Sequence, residues 1–230
     1  MKLTACTLNL WKTKRWPDRS AALETMLSRH RPDLLGVQEL CQEHLPVIAR
    51  ALPHHDRMQQ EEHGTIFWDR RKWSCEDQGA IDVGLIEGGA LYWARLGSLL
   101  VATVHLDWPG LEQEKASGRN LRIEQARRVG EELGALHDGA TILLADLNDC
   151  THAVWILEDA GFTEVYSALG RKPRRTYPAT EAEPGAPQVL DWIFFRGSLA
   201  PTMVDTVDIL VDRIAPSDHR AVIACFDLGV

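Results

Sequence analysis

In the run Thr141-Ile-Leu-Leu-Ala-Asp-Leu-Asn-Asp149, four apolar residues, Ile142 to Ala145, give way abruptly to Asp146, Asn148 and Asp149. The apolar stretch reads as a strand buried on both faces. Carboxylates at its end are how open α/β sheets present groups to a ligand at their carboxyl edge. Strand side chains alternate in direction, so Asp146 and Asn148 share a face while Leu147 turns back into the protein. The same residues also fit a strand running into an Asx-rich turn, and the other strand ends weigh between the two readings.

Polar residues recur at comparable positions. Asn9, Glu39, His105, Asp191 and the Asp218-His219 pair each lie inside or beside an apolar run, where a polar group without a partner costs several kcal/mol. A set of them at matching edges points to one shared site with a compensating ion. Asn, Glu and Asp offer hard oxygen donors, which suit Mg2+ or Mn2+ rather than zinc, and no HExxH motif or Cys/His cluster competes. Histidines beside such an ion fit phosphoryl chemistry, in which the protein positions groups and neutralises developing charge. Blander roles stay open at single positions: Ser217-Asp218 as a turn cap, Asp191 as a satisfied edge-strand residue, Asn9 as a turn residue, and His105 as a core histidine held by Asp107.

Six ordered stretches, Thr7-Leu-Asn9, Gln38-Glu39, His105-Leu-Asp107, Ala145-Asp-Leu-Asn148, Leu190-Asp-Trp-Ile193 and Ser217-Asp-His219, resemble the endonuclease/exonuclease/phosphatase superfamily, also called DNase I-like. The likeness runs from the first strand to the last, with Ala145 standing where the family usually has Gly before the catalytic Asp. It implies a four-layered α/β sandwich of two packed mixed β-sheets with helices outside, and hydrolysis of a phosphoester by metal-activated attack of water. Carried over by position, it implies Asn9, Glu39 and Asp218 as the metal-site residues and Asp146 as the group that orients or deprotonates the water. Asn148 becomes a partner of the phosphate, His219 its transition-state donor oriented by Asp191, and His105 the second histidine near the scissile group.

The elements that must position these residues follow from periodicity. Leu3 to Leu10 alternates as a strand, Asp18 to His30 carries a helical stripe of Leu23, Met26 and Leu27, and Leu34 to Glu39 is a second buried strand. Glu43 to Leu52 reads as a short helix. Gly64 to Asp69, Ala80 to Glu87 and Ala90 to Arg95 read as antiparallel strands, the last two joined by Gly88-Gly89 as a two-residue hairpin turn. A buried strand over Leu99 to His105 and a long helix over Arg119 to Leu136 come next, then the Asp146 strand and a short helix over His152 to Asp159 stopped by Gly161. Gly170 to Gln188 is a long surface loop, Val189 to Phe195 a strand, and Asp205 to Val211 and Ala221 to Phe226 close the chain.

Composition narrows the function. The 230 residues suit one domain over 1–230, and 45% hydrophobic content is enough for a sizeable core. A net charge of −8 counts against a protein held on duplex nucleic acid or an anionic membrane by charge. Five scattered cysteines without CxxC spacing fit a reduced, cytoplasmic protein, and no apolar run approaches a membrane span. Trp11 and Trp108 follow site residues closely, where an aromatic face can stack on a base or headgroup, though ordinary packing accounts for them equally well. Arg174 and Arg175 end the basic run Arg171-Lys-Pro-Arg-Arg175, either a clamp for a second phosphate or a solvated charge run. The expected substrate is a small or single-stranded phosphodiester (a nucleotide, single-stranded nucleic acid, or a lipid or sugar phosphate), with no stable membrane insertion and no obligate protein partner. The alternatives are a phosphomonoesterase, a duplex-DNA or abasic-site endonuclease of the same superfamily, and a catalytically inactive binding module.

Overall fold

The computed structural model describes residues 1–59, 63–181 and 185–229. Its first half runs β1 (Lys2–Asn9), α1 (Ser20–His30), β2 (Leu34–Leu40), α2 (Leu45–Ala51), β3 (His55–Arg57), β4 (His63–Asp69), β5 (Cys75–Ile81), β6 (Leu91–Leu96) and β7 (Leu99–His105). The second half runs α3 (Glu112–Ser117), α4 (Leu121–Leu136), β8 (Thr141–Asp146), α5 (His152–Asp159), β9 (Thr163–Glu164), α6 (Val165–Ala168), β10 (Asp191–Arg196), β11 (Leu199–Thr206) and β12 (Val222–Leu228).

The strands form two six-stranded mixed sheets, ordered β11-β12-β1-β2-β4-β3 and β5-β6-β7-β8-β10-β9. Both follow one plan. Each has a single parallel pair at its centre, β1 with β2 and β7 with β8, flanked by antiparallel neighbours. Parallel neighbours need a crossover connection, and α1 and α4 lie on those two crossovers. The plan decides where the polar residues go. Asn9 and Glu39 end one central pair and His105 and Asp146 the other, with His105 level with Asp146. Antiparallel β10 then begins where β8 ends, so Asp191 pairs with Asp146. Antiparallel β12 starts beside the end of β1, with Val222 opposite Thr7, which brings Asp218 and His219 to Asn9.

Three apolar clusters make four layers. One fills the space between the sheets, from Leu3, Ile66 and Tyr92 to Leu144 and Phe226. A second packs α4 and α5 on the outer face of one sheet through Val129, Leu133 and Leu157. The third packs α1 and α2 on the other through Leu23, Leu27 and Ile48. The sheets come close at Gly36, where an added Cβ would sit 2.7 Å from the Leu144 Cβ. Among the described residues no helix is long and apolar enough to cross a membrane.

The strand ends match the reading from sequence, but the middle of the chain corrects it. Ala80 and Ile81 end β5 rather than begin a strand over Ala80 to Glu87, and residues 82–90 are a loop. Gly88-Gly89 is therefore part of that loop and not a two-residue hairpin turn. Its residues turn away because the buried Asp107 carboxylate accepts hydrogen bonds from the Ile86 and Glu87 amides, at 3.0 and 3.4 Å. Such bonds replace the ladder that a tight hairpin would have made. The closing stretch Asp205 to Val211 holds only the end of a strand, β11, which runs from Leu199 to Thr206 and pairs with β12. The short elements β3, β9, α3 and α6 are additions that periodicity over a few residues does not reveal.

Candidate active site

Asp146 is the hub. It is fully buried at the end of β8, and its Oδ2 accepts a hydrogen bond from Asn9 Nδ2 at 2.9 Å while its Oδ1 accepts one from the Asn148 amide at 3.0 Å. His105 Nε2 stands 3.5 Å from Oδ2 and His219 Nδ1 3.7 Å from it. Asn148 joins the two edges: its Nδ2 lies 3.0 Å from His105 Nε2 and donates to the Leu106 carbonyl at 2.9 Å. On the far side His219 Nδ1 meets Asp191 Oδ2 at 2.8 Å. Asn9, His105, Asp146, Asn148, Asp191 and His219 thus form one connected cluster.

The electrostatics assign the protons. Burial opposes a charge on His219, but Asp191, Asp146 and Asp218 outweigh it and raise its pKa to about 10. Burial pushes the Asp191 carboxyl above the usual range and the His219 charge pulls against that, so the pair keeps its shared proton at neutral pH. The imidazolium spends Nδ1–H on Asp191 and keeps Nε2–H as a donor for an anion.

Glu39 and Asp218 form the other half. Asp218 has its pKa raised to about 6, chiefly by burial, with the His219 charge opposing and the Glu39 and Asp146 charges adding to the rise. Glu39 sits in a left-handed backbone conformation, φ 53°, at a register shift between Gln38 and Leu40. That bulge lets Gln38 point between the sheets while Glu39 is re-aimed. Trp11, Lys12 and Asn148 are also left-handed, with φ of 58, 43 and 47°. Strained backbone of this kind collects at functional sites, where the surroundings over-determine it.

One group of side chains is spaced to hold a metal ion, and a second offers the donor chemistry for one. Donor atoms of Asp146, Asp191 and His219 lie within 4.8 Å of one another, yet a protonated His219 Nδ1 facing Asp191 has no lone pair to give. Asn9, Glu39 and Asp218 supply oxygen donors, and crowded carboxylates that raise the pKa of Asp218 are what a hard divalent cation relieves. The donor chemistry fits Mg2+ or Mn2+ on that side.

Several supports carried no signal in the sequence. The Thr176 hydroxyl accepts hydrogen bonds from the Leu190 and Asp191 amides at 2.9 and 3.1 Å, its carbonyl accepts one from the Arg220 amide at 2.7 Å, and the Tyr177 ring packs 5.0 Å from the His219 ring. The middle of the long loop is therefore tied to the site. Arg19, fully buried, donates to the carbonyls of Lys12, Lys14 and Pro216 and lies over Trp11 and Trp16. It joins the segment after Asn9 to the one before Asp218. Only the folded chain brings these partners together.

The proposed substrate contacts fall in different places. The Trp11 amide donates to Asn9 Oδ1 at 2.8 Å, so its backbone shapes the site while its ring covers Arg19. Trp108 is 47% exposed and lines a cleft together with Glu39 and His105. Arg174 lies 3.7 Å from Asp205 and 3.8 Å from Asp208, and the Arg175 carbonyl accepts a long bond from Arg220.

Two mixed sheets packed face to face, helices outside, and acids and histidines gathered at adjoining sheet edges define the DNase I-like fold. The chain belongs to the Endonuclease/Exonuclease/phosphatase family, whose profile matches residues 6–219; members of that family are metal-dependent phosphoester hydrolases. Solved structures agree on the fold. A humanized D. rerio TDP2 superposes with a TM-score of 0.83 at 20% identity, covering 98% of this chain and 99% of that one. D. rerio TDP2 complexed with a single-strand DNA product gives 0.85 at 19% identity, covering 98% and 99%. A mannosyl-6-phosphatase from Bacteroides thetaiotaomicron gives 0.81 at 20% identity, covering 98% and 100%. No curated protein matches the sequence.

Proposed function

We propose that this protein is a divalent-metal-dependent phosphodiesterase that hydrolyses a small or single-stranded phosphodiester. The observation that carries the reading is the Asp146 carboxylate, on which Asn9, His219 of the His219–Asp191 pair and His105 of the His105–Asn148 pair converge within 3.7 Å. Asp146, aligned by Asn9 and the Asn148 amide, accepts a proton from the attacking water. The water oxygen bonds to phosphorus as the bond to the leaving oxygen breaks. His219 donates through Nε2 to a phosphate oxygen, with Asp191 holding the ring and its charge. His105, exposed on one side and steadied by Asn148, stands where the leaving oxygen collects its proton. Asn9, Glu39 and Asp218 would hold Mg2+ or Mn2+, which supplies Lewis acidity at the phosphate.

Charge favours a diester over a monoester. Four carboxylates, Glu39, Asp146, Asp191 and Asp218, converge on the site, against the His219 cation and one divalent ion. A diester brings one negative charge and a monoester up to two, so the diester is the easier guest. The relatives in this fold include both a mannosyl-6-phosphatase and a TDP2 that holds a single-strand DNA product, so the fold itself leaves the choice to the site. The test is initial rates on bis(p-nitrophenyl) phosphate and p-nitrophenyl phosphate, side by side, with Mg2+, Mn2+ or EDTA. Faster metal-dependent release from the diester supports the reading, and a preference for the monoester replaces it with a phosphatase.

A further inference from the structure

Asn9, Glu39 and Asp218 reach the site from three separate stretches of chain. Asn9 ends β1, Glu39 sits on the bulge of β2, and Asp218 lies outside the strands, in the segment before β12. The ladder between β1 and β2 fixes Asn9 against Gln38, but pairing of strands does not place Asp218.

One buried group spans the three. Arg19, 1% exposed, stands just before α1, and its guanidinium donates in three directions. Nε reaches the Lys14 carbonyl at 2.7 Å, Nη2 the Lys12 carbonyl at 2.9 Å, and Nη1 the Pro216 carbonyl. Lys12 and Lys14 belong to the segment that leaves Asn9, and Pro216 stands two residues before Asp218. Trp11, Lys12 and Arg15 are left-handed, with φ of 58, 43 and 54°. Such backbone persists where its surroundings over-determine it, and Arg19 does so here. The Trp11 amide then donates to Asn9 Oδ1, which turns Asn9 Nδ2 towards Asp146.

The Glu39 stretch is reached through rings. Trp16, 5.5 Å from the Arg19 Cζ, meets the His44 ring edge-on with centroids 4.6 Å apart. His44 is fully buried, and its Nδ1 accepts a hydrogen bond from the Cys41 amide at 3.0 Å, two residues past Glu39. Burial, with the Arg19 charge adding to it, holds the His44 pKa at about 4, so the ring is neutral and Nδ1 keeps its lone pair.

Apolar side chains of similar volume fill a buried place as well as a charge does. What the guanidinium adds is a rigid planar fork that fixes separate acceptors relative to one another, whereas a lysine ammonium is one point on a flexible stem. We propose that Arg19, acting with Trp16 and His44, is the positioning residue of the metal side: it sets the spacing of Asn9, Glu39 and Asp218 for a divalent cation and touches neither ion nor substrate. The inference rests on the assignment of those three donors given above.

Mn2+ calorimetry on the full-length protein tests it, with near-UV circular dichroism to establish folding. Arg19→Lys keeps the charge and loses the fork. It is expected to bind Mn2+ about tenfold to a hundredfold more weakly, the usual cost of losing a group that orients metal ligands. With Mn2+ raised to saturation, most of the wild-type kcat should return, and the alkaline limb owed to His219 should stay in place. His44→Leu removes the acceptor for the Cys41 amide and should weaken Mn2+ in the same sense. His44→Asn restores an acceptor near Nδ1 and should recover the affinity; this pair keeps the test valid should Arg19→Lys not fold. Mn2+ affinity within twofold of wild type in a folded Arg19→Lys or His44→Leu would overturn the proposal and leave the metal reading standing. Wild type that binds no Mn2+ would overturn both.

Discussion

His219 carries the clearest burden at the level of single residues. Its ring is buried between Asp191 and Asp146 and packed on Tyr177, and those carboxylates, with Asp218, hold its pKa near 10 against burial. Removing a donor aimed at developing charge costs about 10^2–10^3 in kcat, so His219→Ala is expected to lose activity by that factor. The variant should also lose the alkaline limb of the pH–rate profile near pH 10, which wild type owes to this proton. An alkaline limb unchanged in the variant would assign it elsewhere. The proton is linked to folding too. Its folded pKa lies above the ordinary 6.5, so it stabilises the fold fully below that value and the contribution disappears as pH rises through about 10. Asp218 acts in the same direction over a lower pH window in the metal-free protein. Its carboxyl is raised from 3.8 to about 6, so stability is lost as pH rises through that window, and a bound cation offsets the loss. Because the ion needs the carboxylate, calorimetry should find Mn2+ about tenfold weaker at pH 5 than at pH 7. Equal affinity at the two pH values would remove Asp218 from the metal site.

Elements explain why these residues meet, and why some were legible in the sequence and others not. Asn9, Glu39, His105, Asp146 and Asp191 each interrupt or end an apolar run, a one-dimensional signal that survives without coordinates. The Glu39 bulge, by contrast, shows only as a register shift against β4. The Gly88-Gly89 pair misled because a local turn preference lost to a distant carboxylate, that of Asp107, which takes the loop's amides. Thr176 was invisible for the same reason: its partners, Leu190, Asp191 and Arg220, are brought to it by folding. Thr176→Val keeps the shape and removes the acceptor at the start of β10. It is expected to lower kcat about tenfold through Asp191 and His219, with Mn2+ affinity unchanged in calorimetry. A fall in metal affinity of the same size would show that the loop supports the whole edge and not the dyad.

At the scale of the molecule, two sheets with the same plan face each other, and each contributes one parallel pair whose carboxyl ends carry the polar groups. The site therefore depends on how closely the sheets approach. Gly36 lets β2 reach Leu144 of β8, and a methyl group there meets the Leu144 Cβ at 2.7 Å and Thr103 Oγ1 at 3.2 Å. Gly36→Ala should destabilise the fold by about 1–3 kcal/mol, the usual cost of overpacking, read as a lowered denaturant midpoint. A neutral result would mean that the sheets can part without strain. The layered architecture was readable from alternating and helical periodicity together with the ordered motifs, whereas this spacing between sheets has no counterpart in the order of residues.

All of this turns on Asp146 as the group that takes the proton from water at a metal-dependent site. The most direct measurement is the initial rate on bis(p-nitrophenyl) phosphate across a Mn2+ titration, for wild type and Asp146→Asn, with near-UV circular dichroism of both. Asparagine keeps the size and one of the two acceptor contacts, to Asn9 or to the Asn148 amide, but cannot accept the proton. The expected result is a native spectrum, Mn2+ saturation in wild type, and a loss of about 10^2–10^4 in kcat for the variant. A variant with a native spectrum and near wild-type rates would contradict the account.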